Sequence, residues 1–61
     1  MMKDKLLNHL VSFRYGTLTL YGEILYVSES EEGTVYMIQA GGTLYKEIPL
    51  NDILMDFGKE E

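Results

Sequence analysis

The stretch that most constrains the fold is Val35-Tyr36-Met37-Ile38-Gln39-Ala40-Gly41-Gly42-Thr43-Leu44-Tyr45-Lys46-Glu47-Ile48, two apolar-rich strand patterns joined by a Gly-Gly. Glycine enters the left-handed region without steric cost, so Gly-Gly between such runs is a tight hairpin signal and commits the chain to an antiparallel sheet. A two-residue turn sets Ala40 opposite Thr43, Ile38 opposite Tyr45 and Tyr36 opposite Glu47. Val35, Met37, Gln39, Leu44, Lys46 and Ile48 then share the other face. Both faces are apolar, so each has to be covered. If Val35, Met37 and Ile48 face the interior, Tyr36, Ile38 and Tyr45 form an outward patch of the kind that marks a contact site.

Sixty-one residues make one domain, and a chain of this size buries too little surface for a large core. Cysteine is absent and His9 is the one histidine, so neither a disulfide nor a Cys/His zinc cluster is expected to staple the fold. Self-association is the remaining device, most simply a homodimer. No long apolar run appears, and Met1-Met2-Lys3-Asp4-Lys5-Leu6-Leu7 lacks the core of a signal peptide, so a soluble cytoplasmic protein is expected. Ten acidic residues against five basic ones give a net charge of −5, which repels nucleic-acid phosphates.

Leu6, Leu7 and Leu10 recur at helical spacing behind Asp4, which predicts a short helix over 3–10. Five strands follow over 11–57. Val11, Phe13 and Tyr15 alternate with polar residues as far as Gly16-Thr17, and a long strand runs from Leu18 to Ser28. Gly22 in its middle marks a bend or bulge. Ser28-Glu29-Ser30-Glu31-Glu32-Gly33 reads as an acidic loop. The Gly-Gly hairpin ends at Ile48-Pro49-Leu50, Asn51-Asp52 turns the chain, Ile53 to Phe57 forms the fifth strand, and 58–61 is a polar tail. A short helix and five strands, one of them long and bent, predict an all-β small barrel.

Local motifs resemble those of Sm-like proteins, which share this order of elements. Val11-Ser12-Phe13-Arg14-Tyr15-Gly16, Gly22-Glu23-Ile24 and Val27-Ser28 are similar to the first Sm signature. Ser28 stands at the family's Asp, Glu32 near its Asn, and Asn51-Asp52 at its Arg-Gly, the positions through which that family holds RNA. Gly22-Glu23-Ile24, the hairpin, and Ile48-Pro49-Leu50-Asn51-Asp52-Ile53-Leu54 also resemble YolD-like proteins of Gram-positive bacteria and their phages. Both resemblances imply a small Sm-like barrel, and the second a bacterial or phage setting. The RNA-contacting residues are replaced.

Chemistry-bearing groups are sparse. His9, Ser12 and Asp4 can be written as a triad, but all lie in the first twelve residues, where local chain geometry rarely builds one. Asp52 and Asp56 are expected to be surface charges, and no Gly-rich phosphate cradle precedes a helix. Neither an enzyme nor a cofactor-binding protein is therefore expected. The expectation is a small regulator or inhibitor that binds a protein partner through Tyr36, Ile38 and Tyr45, with Glu29, Glu31 and Glu32 of the acidic loop as further interaction residues. The alternatives are an Sm-like nucleic-acid binder or an acidic mimic of nucleic acid.

Overall fold

The computed structural model of the protein describes residues 5–59. Five strands form one antiparallel sheet: β1 (His9–Tyr15), β2 (Leu18–Ser30), β3 (Gly33–Ala40), β4 (Thr43–Pro49) and β5 (Ile53–Lys59), with a single 3-10 turn, η1 (Leu50–Asp52), between the last two. The strand order is β4-β3-β2-β1-β5.

β2 is long because it serves two partners. Its first half, Leu18 to Glu23, pairs with β1, and its second half, Glu23 to Ser30, pairs with β3. Gly22 lies at the changeover, and the absence of its side chain is what permits the arrangement. A Cβ built there would stand 2.3 Å from the backbone oxygen of Gln39 and 2.9 Å from Cγ2 of Ile38. Leu25, three residues on, is left out of the ladder as a bulge between the Ile24–Ile38 and Tyr26–Met37 pairs.

The sheet is strongly curled. β1 and β4 are separated by two strands, which in a flat sheet sets them about 14 Å apart at the usual spacing. Yet the ring centroids of Phe13 on β1 and Tyr45 on β4 are 5.5 Å apart, and those of Tyr15 and Tyr45 4.7 Å. Curling brings Val11, Phe13, Ile24, Tyr36, Ile38 and Ile48 into one buried cluster, with Leu6, Leu20, Val27 and Ile53 packed around it. Burial of each large apolar side chain contributes about 1.5–3 kcal/mol, so these few residues supply most of the hydrophobic stabilisation.

Three expectations are corrected. The barrel is not closed, because β4 and β5 end the strand order and do not pair with each other. β4 runs into Pro49, which has no N–H to donate, and η1 then carries the chain to the far side of β1. The amino-terminal helix over 3–10 is absent: residues 5–8 are a turn and His9 already belongs to β1, while Lys3 and Asp4 lie outside the described residues. The Asn8 backbone at φ 69° is incompatible with a helix, and its N–H donates to the carbonyl of Ile24 at 2.8 Å. So short a helix is marginal by itself, whereas extending β1 brings His9 and Leu10 into register with β5.

The third correction concerns the hairpin. Ala40–Thr43 and Ile38–Tyr45 pair as the sequence predicts, but the next pair is Tyr36–Ile48 and not Tyr36–Glu47. Lys46 and Glu47 together oppose Met37, with Glu47 in the left-handed region at φ 61°. That one extra residue moves Ile48 onto the face of Tyr36 and Ile38. The face richest in bulky apolar groups thereby becomes the interior.

Candidate interaction surface

The predicted contact patch is therefore turned inward. Tyr36 and Ile38 are buried core residues, and Tyr45 is half-buried against Phe13 and Tyr15. Val35 and Met37, expected inside, lie half-exposed on the outer face. None of the three predicted apolar contact residues is laid out for a partner. The acidic residues separate as well. Glu29 accepts a hydrogen bond from the Thr34 hydroxyl at 3.2 Å across the β2–β3 ladder. Glu31 and Glu32 instead join Glu47 around an open groove of about 590 Å³, over Thr34, Val35 and Pro49. The loop that carries them is tightened by Ser30, whose hydroxyl donates to the Gly33 carbonyl at 2.9 Å and accepts from the Glu32 N–H at 3.2 Å.

Exposed apolar side chains, among them Leu18, Tyr26 and Leu50, are spread over the described residues, and one group of them gathers on the outer side of β2-β1-β5. Alternation points Val11 and Phe13 into the core and Ser12 out, and Ser12 is in register with Tyr21 on one side and Met55 on the other. Tyr21 is 66% exposed, Met55 57% and Phe57 54%, while Ser12 between them is only 4% exposed. The rings of Tyr21 and Phe57 approach across β1, with centroids 6.2 Å apart and planes inclined by 31°. Two aromatic rings and a thioether make up this group, with the charged Arg14 and Glu23 flanking it on the same face. Isolated exposed apolar residues are ordinary, but a contiguous group is the usual mark of a contact surface.

The signal for this face was present in Ile53-Leu54-Met55-Asp56-Phe57, where four residues of five are apolar. A strand so composed shows apolar groups on both sides. What pattern reading misses is that β5 departs from its ladder twice. Leu54 is left out between the Phe13–Ile53 and Ser12–Met55 pairs, and Phe57 between Val11–Asp56 and Leu10–Gly58.

The polar groups beside the face are built around Asp56. One oxygen of its carboxylate accepts the Gly58 N–H at 2.9 Å and approaches Nδ1 of His9 at 2.8 Å. An ionised carboxylate only accepts, so Nδ1 carries the shared proton. The Gly58 N–H, foremost, then His9 and the nearby positive charge of Lys5, hold the Asp56 carboxyl below the ordinary carboxylate range. Asp52 faces Arg14 at 3.5 Å, a loose, partly exposed pair of little energetic weight. Among the described residues no group of three or more His, Asp or Glu side chains is placed to hold a metal ion, and no helix is long and apolar enough to cross a membrane. Ser12 and His9 lie on opposite faces of β1, which dismantles the paper triad; Asp4 lies outside the described residues.

Comparison with known proteins finds no match for this chain, whether among family models, curated proteins or solved structures.

Proposed function

We propose that the protein is a non-enzymatic protein-binding module, a small regulator or inhibitor, and that its contact surface is the outer face of β2-β1-β5. The observation that carries this reading is the uncharged group of Tyr21, Met55 and Phe57, each more than half exposed and gathered over Ser12. Tyrosine and phenylalanine supply large contact area at little cost in side-chain entropy, which is why aromatic residues dominate binding hot spots. The partner that suits such a face is a protein with an apolar cleft or a flat apolar surface of its own. A second copy of this chain is one such partner, and a homodimer fits the need of a small core for additional burial.

A second reading rests on the groove. Glu31, Glu32 and Glu47 border it with no basic residue among its walls. A basic segment of a partner would be attracted there, in the manner of a protein that imitates nucleic-acid charge. Nucleic acid itself is disfavoured by the net charge of −5. The YolD-like resemblance adds a bacterial or phage setting to this proposal and no activity.

Site-specific photo-cross-linking in the native host tests both readings. A photoreactive phenylalanine at Phe57 is expected to capture a discrete protein, or a product of twice the chain mass, while the same group at Leu44 captures neither. Capture only from a group placed at Glu32, abolished by high salt, would replace the aromatic face with the acidic groove.

A further inference from the structure

The aromatic face depends on a residue whose side chain lies on the other side of the sheet. Phe57 is the extra residue of a bulge: Val11 pairs with Asp56, Leu10 with Gly58, and nothing on β1 opposes Phe57. Such bulges re-aim the displaced side chain. Here the bulge is closed by Asp56, whose carboxylate accepts the N–H of Gly58 two residues on, the geometry of an Asx turn. Gly58 sits at φ 88°, which glycine adopts freely. His9 of β1, diagonal to Asp56 of β5 on the same face of the sheet, donates to the same oxygen and fixes the carboxylate from outside its own strand.

We propose that Asp56, held by His9, is the positioning residue of the aromatic face: by capturing the Gly58 N–H it keeps Phe57 out of the ladder and beside Tyr21. The inference rests on reading that face as the contact surface. Without the capture, the regular ladder would continue from Val11–Asp56 to Leu10–Phe57 and His9–Gly58, a one-residue slip that leaves Phe57 on the face of Ser12 but seats it opposite Leu10, one pair removed from Tyr21, and turns Lys59 to the opposite face. Partner binding would then fall although no residue of the face had changed.

The charged groups around this arrangement, among the described residues, set the direction of its pH dependence. Lys5 comes from the amino-terminal turn, Lys59 stands opposite His9 on β5, and Glu23 of β2 is in register with Leu10, on the other face. The Asp56 carboxyl lies below its ordinary value of 3.8 in the folded chain. A depressed carboxyl stabilises the fold fully above the ordinary value, and the effect is lost as the pH falls through the folded one. The bulge should accordingly be held most firmly at neutral pH and less firmly in acid, where the neutral carboxyl still offers a carbonyl oxygen to the Gly58 N–H.

Nuclear magnetic resonance on the free protein tests this. Asp56→Ala is expected to abolish the Tyr21–Phe57 ring cross-peaks and to replace the Leu10–Gly58 backbone cross-peak by Leu10–Phe57, while Phe13 and Ile38 keep their core resonances. Asp56→Asn retains an oxygen acceptor for the Gly58 N–H and is expected to restore the wild-type pattern. Unchanged ring cross-peaks in Asp56→Ala, or equal loss in Ala and Asn variants, would overturn the proposal. Should Asp56→Ala fail to fold, titration of the wild-type chain decides. The Tyr21–Phe57 cross-peaks must weaken and the Gly58 N–H must exchange faster as the Asp56 carboxyl is protonated, and no change in either refutes the assignment. Because no partner enters these measurements, their failure would leave the role of the face to the cross-linking experiment.

Discussion

Replacing Gly22 by Ala is the sharpest test of the way the sheet is built, because two general rules predict opposite signs. In the interior of a strand, glycine to alanine ordinarily stabilises by about 0.5–1 kcal/mol, since glycine has the more conformational freedom to lose. At Gly22 the added Cβ would stand 2.3 Å from the oxygen and 2.8 Å from the carbon of the Gln39 carbonyl, and 2.9 Å from Ile38 Cγ2. A carbon–oxygen contact relaxes at about 3.3 Å, so β3 has to retreat by roughly an ångström. The neighbours are backbone and a fully buried side chain, neither free to swing away. Overpacking of this kind costs about 1–3 kcal/mol, occasionally more. A domain of this size has about 3–9 kcal/mol in all, so the loss takes a large share of it. Urea titration followed by circular dichroism, with Gly42→Ala as the control, measures it. Gly42 has no heavy atom within 4 Å of its added Cβ and no positive φ, so that variant should be neutral or slightly more stable. If Gly22→Ala gains stability as Gly42→Ala does, β3 does not cross β2 closely at Gly22.

Further outcomes follow from the inverted hairpin faces and the charge. Ile38→Ala should lower stability by about 2–5 kcal/mol, and Ile38→Glu should unfold the chain outright; a folded Ile38→Glu in the same titration would return Ile38 to the surface. Glu47→Gly relieves an L-residue held at φ 61° and should raise the urea midpoint, by an amount worth up to about 1 kcal/mol, and a drop would mean that Glu47 makes a contact outweighing its backbone strain. Fluorescence anisotropy with a labelled uridine-rich oligomer at about 0.15 M salt should show affinity weaker than the usual non-specific range of roughly 10⁻⁴ to 10⁻⁶ M; submicromolar, salt-sensitive binding would promote the nucleic-acid alternative.

Much of the architecture is local in origin and so was legible from residues alone. Gly41-Gly42 specifies a tight turn, and Ala40 does pair with Thr43 across it. Gly22 signals a special backbone site in a strand too long to be ordinary, and Pro49 signals the end of the fourth strand. These are steric properties of single residues or neighbours, and they hold whatever the rest of the chain does. Facing is different. The hairpin pattern was apolar on both sides, so alternation could not say which side would be buried. One bulged residue at Glu47 decided it by placing Ile48 with Tyr36 and Ile38. The same limit hid the aromatic face, since Tyr21 and Phe57 are distant in sequence and meet only because β1 lies between β2 and β5 and Phe57 leaves the ladder. A register shift costs one residue of sequence and inverts every side chain beyond it. Its position is set by which pairing of whole strands buries the most apolar surface, a property of the folded sheet and of no single segment within it.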